Sequence, residues 1–369
     1  MKMGPIRNKN LRSRSNRFGP NYAEKRKVSY LSKYVLKRLV YIVLVFFVVS
    51  FLMYALFGLI PSDPARQQLD PLKATLKPEV YDRMYQELRD QMGLDDPLVV
   101  RYARWMGFAP DKQSGEYSGL LQGDFGYSTM RQRNCVDVIK DPMANTILFN
   151  VFATILTLAI TIPVGIWCAV HKGSGVDQGI QTFTILGYSL PQYIIALIFI
   201  YVFAVLLRWF PVGGAATPGS TYTGMREFLD RLYYLALPII VSVFGGLGGM
   251  SRYVRASMID ALSMDCIRTA RAKGVKERVV IYSHAWRNAL LPVITSIIGW
   301  FLSVFTGSLI LENVFGLNGM GALYIKALNA NDAELCLAIQ MFYIVISLLG
   351  NLITDLAYGF VDPRIRVNK

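Results

Sequence analysis

The sequence has little charge and few of the side chains that usually carry chemistry. Only 17% of its 369 residues are charged, and it contains two histidines and four cysteines. Soluble domains carry about 25% charged residues, so an ordinary soluble protein is disfavoured. The cysteines form no CxxC pair and no Cys/His cluster at the spacing of a metal site. No metal site is therefore expected in this chain.

Catalytic motifs are missing as well. The sequence contains no phosphate-binding loop of the GxxxxGK type, no HExxH motif and no GxSxG motif. We therefore expect no catalytic residue and no cofactor in this chain, and no nucleotide hydrolysis by it. Together with the apolar runs described next, these absences favour transport over catalysis.

Long apolar runs dominate the sequence, which is 53% hydrophobic. A run of about 20 apolar residues crosses the hydrocarbon core of a bilayer as a helix. Six such runs cover residues 39–60, 146–170, 179–207, 232–250, 290–311 and 335–360. The predicted fold class is therefore an all-α polytopic membrane protein with about six transmembrane helices.

The formal net charge of +14 is distributed unevenly along the chain. Basic residues concentrate in four segments, 1–38, 171–172, 252–287 and 364–369, which alternate with mixed or acidic loops. A nucleic-acid binder would instead collect its basic residues on one soluble face, so no nucleic-acid partner is expected. The positive-inside rule predicts that both termini lie in the cytoplasm.

This topology divides the chain into segments. The prediction is a basic cytoplasmic extension (1–32), a first transmembrane helix (33–60), an extracytoplasmic loop region (61–143), a transmembrane domain (144–360) and a cytoplasmic tail (361–369). The apolar run of the first helix exceeds the core of a typical signal peptide, so we expect it to be retained. The basic extension either only sets orientation or also contacts anionic lipid. A disulfide from Cys135 to another external thiol stays open.

A dense basic segment, 252–289, separates the fourth and fifth apolar runs. Ser263 is a predicted helix N-cap, a short helix is expected over 265–273, and Gly274 suits a left-handed end. A second helix starts near Glu277. Its apolar residues recur at three- and four-residue steps and predict one apolar face: Val279, Tyr282, Trp286, Ala289 and Leu290. A short exposed basic helix between two spans has the shape of a part that docks into a groove on a partner.

Several motifs in this order carry a family resemblance. "RTARAKG" (268–274) and "HAWRNALLP" (284–292) resemble the cytoplasmic coupling loop of binding-protein-dependent ABC importer permeases, in the peptide and nickel branch where arginine replaces the usual glutamate. The remaining matches are "LIPSDPA" (59–65), "GLDDPLVVRYARWM" (93–106), "GDFGYST" (123–129), "ENVFGLNGMG" (312–321) and "DPRIR" (362–366). The resemblance covers roughly residues 33–366, and the polar stretch 109–119 reads as an insertion.

The resemblance implies a type I ABC importer permease fold in a bacterial or archaeal plasma membrane. It implies a second homologous permease subunit, two ABC ATPase subunits that carry ATP and magnesium, and an extracytoplasmic solute-binding protein. The cargo it favours is peptide. Nickel, oligosaccharide or another small solute stays open as an alternative.

The candidate site residues fall into two groups. Those assigned by resemblance to the ATPase-coupling loop are Asp265, Arg268, Thr269, Ala270, Arg271, Gly274, His284, Asn288 and Pro292. Candidates for the translocation path are Asp355, because intramembrane carboxylates are costly, and Glu312. Asp355 could instead pair near the cytoplasmic end, and Glu312 could simply face water. His284 is expected to pack or to donate a hydrogen bond rather than to bind metal.

Two other classes of protein predict different sequence patterns. A secondary transporter or channel would show an inverted repeat with broken helices and paired intramembrane charges. A membrane-bound enzyme or assembly scaffold would need a polar cluster near an interface. Neither pattern is evident in the sequence.

Overall fold

The computed structural model describes residues 20–60, 63–112 and 114–361, with side chains for 35–60, 63–112 and 114–356. The predictions for residues 1–19 and for the tail 362–369, including "DPRIR", lie outside the described residues. Residues up to Ser50 and residues from Phe51 onward form two units. All contacts below lie within the second unit.

The described chain is mainly helical. Its α-helices are α1 Pro20–Phe57, α2 Pro64–Leu69, α3 Pro78–Gln91, α4 Leu98–Met106, α5 Cys135–Val170, α6 Gly175–Ser189, α7 Gln192–Phe199, α8 Met225–Leu262, α9 Asp265–Ala272, α10 Glu277–Val279, α11 Trp286–Leu302, α12 Leu309–Val314, α13 Met320–Asn329 and α14 Ala333–Val361. Short 3-10 helices cover Asp70–Leu72, Leu120–Gln122 and Ser303–Phe305, and π-helical turns cover Ile200–Leu206 and Val280–Ala285. An antiparallel hairpin pairs β1 (Tyr127–Ser128) with β2 (Arg133–Asn134). The predicted all-α class is confirmed.

Within the described residues, five helical segments are long and apolar enough to cross a membrane, or six if the bent pair α6 and α7 is one span. The five are Val35–Phe57, Cys135–Val170, Met225–Leu262, Glu277–Val314 and Ala333–Leu356. This agrees with the predicted count of about six. The predicted bounds were too short for the second and fourth spans, because α5 and α8 continue as helices beyond their apolar runs.

The apolar run 179–207, which contains Pro191, folds as two helices rather than one. α6 and α7 meet at an angle of 101°. Leu190, between them, has extended backbone (φ −82°, ψ 134°). The ring of Pro191 disfavours an α conformation at the residue before it, and Leu190 is extended where α6 ends. The chain then continues as α7 in a new direction.

The centre of the second unit is built on α5, α6 and α8. α6 runs antiparallel to α8, with Asp177 opposite Arg255 and Thr184 opposite Gly248. A Cβ atom at Gly248 would lie only 2.5 Å from the carbonyl oxygen of Thr184, so glycine is what allows this approach. Small residues serve this purpose in membrane bundles. We call the end of the bundle that carries α9 the α9 end, and the opposite end the hairpin end.

At the hairpin end, Asp63 organises the small helices α2 and α3. Its carboxylate caps α2 by accepting hydrogen bonds from the amides of Ala65 (3.0 Å) and Arg66 (3.3 Å). It also accepts from the Tyr85 hydroxyl (2.5 Å) and from Arg89 (2.8 Å). Burial raises the pKa of Asp63, but these hydrogen bonds and the Arg89 charge outweigh it, so the pKa lies below its usual value. The "LIPSDPA" motif thus has a structural role.

Candidate functional site

The short helix α9 lies at the surface with one buried edge. Ile267 is completely buried and Ala270 is 8% exposed, in a cluster with Met258, Val280 and Ala285. Burying an isoleucine side chain contributes roughly 1.5–3 kcal/mol. That contribution matters because a helix of eight residues is not stable alone in water. The remaining face of α9 is therefore presented outward on a fixed support.

The end of α9 is a Schellman motif. Gly274 has a left-handed backbone with φ +73°. Its amide donates to the carbonyl of Arg271 (3.0 Å), and the amide of Val275 donates to the carbonyl of Ala270 (3.2 Å). This is the pattern in which the position after the helix favours glycine. The predicted left-handed end at Gly274 is confirmed, and the helix ends one residue before the predicted bound.

The start of α9 differs from the prediction. Met264 occupies the N-cap position, and no side chain caps the helix there. Ser263 instead ends α8, and its hydroxyl donates to the carbonyl of Asp260 (2.7 Å). The predicted Ser263 cap was wrong because α8 continues further than its apolar run. The serine hydroxyl is therefore taken up by the preceding helix.

The exposed face of α9 carries the charges. Arg268 lies 3.4 Å from Asp265, and their side chains are 74% and 95% exposed. Arg271 makes a two-point contact with Glu277, at 2.6 and 3.2 Å. Exposed ion pairs of this kind contribute little to stability. These side chains are thus accessible to a partner at small conformational cost.

The helix after α9 contains a π-helical turn, Val280–Ala285. Val280, Ala285, Ala289 and Val293 are the fully buried positions, at steps of five, four and four residues. The predicted apolar face was wrong for Val279 and Tyr282, which are 41% and 55% exposed. A π turn inserts one extra residue and rotates the following face. A three-and-four-residue pattern does not detect that insertion.

The last three predicted loop residues lie in the helix that follows α9. His284 is exposed, and its backbone carbonyl accepts a hydrogen bond from the Asn288 amide (2.8 Å) within that helix. The Pro292 carbonyl accepts from the Tyr253 hydroxyl of α8 (3.0 Å), which connects this helix to α8. Among the described residues, no group of three or more His, Cys, Asp or Glu side chains is placed to hold a metal.

A buried ion pair joins α8 to α6 near the α9 end. The guanidinium of Arg255 donates to both carboxylate oxygens of Asp177, at 2.8 and 2.7 Å. The Asp177 side chain is only 2% exposed, and it also accepts from the Gly173 amide (3.0 Å). An acid and a base that pair across 78 positions give no local signal.

A cavity of about 440 Å³ lies between α5, α6, α7, α8 and α11. Half of its fourteen lining residues are polar but uncharged. Besides Tyr188, the polar ones are Asn150, Thr154, Thr157, Gln192, Ser242 and Ser303. Leu190, at the break in the third span, also lines it. None of these lining residues was predicted from the sequence, although a lone Asn150 or Gln192 within an apolar run is a usable signal.

The two carboxylates predicted for the path do not line this cavity. Glu312 is 1% exposed, and its carboxylate accepts hydrogen bonds from the amides of Gly321 (2.7 Å) and Ala322 (3.1 Å). It also accepts from the Thr146 hydroxyl (2.8 Å). Asp355 is half-buried in α14. A path assignment for either residue stays a prediction.

The fold and this arrangement define a polytopic helical membrane protein with a supported surface helix and a polar intramembrane cavity. Two family models match the chain. The description "binding-protein-dependent transport system inner membrane component" matches residues 161–367, and the corresponding N-terminal component matches residues 31–150. The first match covers more than half of the chain, so this protein belongs to that family. Its members are membrane components of transporters that work with binding proteins.

Relatives in the same family match along most of their length. The oligopeptide transport system permease protein AppB of Bacillus subtilis is 35% identical over 91% of this chain and 99% of its own. The glutathione transport system permease protein GsiC of Escherichia coli K12 is 30% identical over 90% and 98%. The inner membrane ABC transporter permease protein YejB of E. coli O157:H7 is 31% identical over 79% and 77%. A structure of the MetNI methionine ABC transporter covers 62% of this chain with 14% identity and a TM-score of 0.48.

Proposed function

We propose that this chain is one of two permease subunits of an ATP-driven peptide importer. It would form half of the translocation path, receive peptide from an external binding protein and couple to two ATPase subunits. ATP and magnesium would bind those ATPases, and this chain would contribute no catalytic group. Relatives named as oligopeptide and glutathione permeases support the peptide cargo.

The observation that carries the proposal is α9. It presents Asp265, Arg268 and Arg271 on an exposed face, while Ile267 and Ala270 anchor its other side to the bundle. A displacement of α9 would be transmitted to α8 and α11, because Ile267 and Ala270 share one buried cluster with residues of both helices. The concentration of basic residues in 252–287 supports a cytoplasmic position for α9. The hairpin end would then lie on the outer side of the membrane.

The test uses the assembled importer in proteoliposomes and measures ATP hydrolysis and peptide uptake together. Gly274→Pro removes the amide that bonds to Arg271 and forces a φ of about −65° onto a left-handed position. Arg271→Glu reverses a charge on the exposed face. We expect both variants to insert and assemble, to hydrolyse ATP, and to lose most of the uptake per ATP hydrolysed.

Lys172→Glu is the matched control, because Lys172 is an exposed base in another loop at the same end of the bundle. It should leave uptake per ATP unchanged. Normal coupling in both α9 variants would refute the role of α9. Wild-type importer that takes up no peptide, while loaded binding protein stimulates its ATPase, would refute the peptide cargo.

A further inference from the structure

The cavity between α5, α6, α7, α8 and α11 has a lining that is polar but uncharged. Among the described residues that line it, none is charged, although Asn, Gln, Ser and Thr side chains are present on four helical elements. A membrane span exposes polar side chains only where they face protein or water. The polar lining therefore faces protein or a water-filled space rather than lipid. Its volume of about 440 Å³ lies in the range of ligand pockets, about 300–1,000 Å³.

The polar side chains differ in what they have left to offer. Both donor contacts of the Asn150 amide nitrogen go to the carbonyls of Val304 (3.0 Å) and Thr306 (2.9 Å), which leaves its oxygen as an acceptor. In the described part of the chain, Gln192 and Ser242 form no side-chain hydrogen bond. Amide and hydroxyl groups of this kind each donate and accept.

Two neighbouring features border the site: a wall of glycines and a cation next to Tyr188. Gly245 and Gly246 form part of one wall, where a Cβ atom at Gly246 would lie 2.8 Å from a Thr157 methyl group. Arg252 is the cation beside the cavity. Its guanidinium lies 5.4 Å from the ring centre of Tyr188, and its Nε donates to the Gly248 carbonyl (2.7 Å). Arg252 is not a lining residue.

We propose that this cavity binds the main-chain amide groups of the peptide through neutral donors and acceptors, and so carries peptides without selecting their side-chain charge. The inference rests on the proposed function. A peptide repeats one N–H and one C=O per residue, which neutral amides and hydroxyls match in any register. A charged lining would attract one sign of side chain and repel the other, strongly so where water is scarce.

The experiment gives the cavity a charge and asks whether selectivity appears. Gln192→Glu and Gln192→Lys introduce opposite charges at the start of α7. The substrates are three radiolabelled pentapeptides, each with four alanines around a central lysine, glutamine or glutamate. Uptake by the full importer with its binding protein is measured for each and expressed as the lysine-to-glutamate ratio. Dividing each variant's ratio by the wild-type ratio removes the preference of the binding protein.

The expected ratio rises about tenfold in Gln192→Glu and falls about tenfold in Gln192→Lys. Gln178→Glu is the control, because Gln178 is exposed on α6 and does not line the cavity, and its ratio should equal the wild-type value. Gln192→Asn checks that a neutral change at this position keeps uptake and ratio.

Ratios within twofold of wild type in both charged variants, with uptake retained, would overturn the inference and leave the importer function standing. A second result would also overturn the inference: Gln192→Glu and Gln192→Lys lose all uptake, while ATPase stimulation stays intact and Gln192→Asn remains active. The cavity would then tolerate no charge in its lining, whatever the charge of the peptide. Absence of peptide uptake in the wild type would instead refute the proposed function itself.

Discussion

Removing the carboxylate of Glu312 should damage the assembly of this protein rather than its selectivity. The carboxylate is 1% exposed and accepts from the backbone amides of Gly321 and Ala322 and from the Thr146 hydroxyl. The Thr146 oxygen in turn accepts from the Met320 amide (2.8 Å). One acidic side chain thus holds the start of α13 against α12 and α5.

The magnitude follows from the groups left unpaired. In Glu312→Ala, two buried backbone N–H groups lose their acceptor, and each costs about 1–3 kcal/mol. The expected loss is therefore roughly 2–6 kcal/mol. Glu312→Gln keeps one acceptor oxygen of similar shape and should lose much less. In the motif "ENVFGLNGMG" (312–321), Gly319 packs against the Glu312 carboxylate, since a Cβ atom at Gly319 would lie 2.4 Å from it.

The assay is the thermal melting of the purified complex in detergent, with peptide uptake measured in parallel. We expect Glu312→Ala to melt several degrees below wild type and to assemble poorly, whereas Glu312→Gln stays close to wild type in both measurements. Glu116→Ala removes an exposed carboxylate at the same end of the bundle and should change neither. An Ala variant that melts like wild type, together with a Gln variant that assembles but no longer transports, would contradict this reasoning and place Glu312 in the path.

Three further outcomes are expected. Asp177→Asn breaks a buried ion pair and should lower the stability of the complex by about 3–5 kcal/mol. Combining Asp177→Arg with Arg255→Asp should recover part of that stability in the same melting assay, and no recovery would count against the pairing. Gly274→Ala places a side chain at φ +73°, costs about 1–2 kcal/mol and should speed hydrogen exchange at the end of α9, while Gly249→Ala, where a Cβ meets nothing within 4 Å, should not. Because the pKa of Asp63 is lowered by folding, its contribution is present above its unfolded pKa of about 3.9 and is lost as pH falls through the lower folded pKa; limited proteolysis of the hairpin end should accelerate there, and Asp63→Asn should abolish that pH dependence.

Much of the architecture was predictable because the bilayer restricts the choices. A span must satisfy its own backbone hydrogen bonds, so every predicted apolar run is helical over most of its length, although the runs 179–207 and 290–311 are divided among successive helices. The basic segments predict which ends share a side, and Gly274 predicts the end of α9 because a left-handed position strongly favours glycine. The predicted helices and the end at Gly274 thus agreed with the structure, whereas the local prediction of a Ser263 cap did not.

Predictions about faces and partners agreed less well. The π turn at Val280–Ala285 rotates the buried face of its helix away from Val279 and Tyr282. The apolar run that contains Pro191 forms two helices that meet at 101°. A π turn depends on how the whole helix fits its neighbours. The sequence pattern alone therefore does not report it.

The sequence by itself determined that this chain crosses a membrane several times, that it carries a short exposed helix between two spans, and that it resembles one family of permeases. Those features follow from local composition and ordered motifs. Only the tertiary structure decided that Glu312 holds backbone amides, that Asp177 meets Arg255, and that Asn150, Gln192 and Ser242 share one cavity. These groups lie far apart in the chain. Only the packing of α5, α6, α7 and α8 together, and of α12 against α13, brings them within hydrogen-bonding reach of their partners or around a common space.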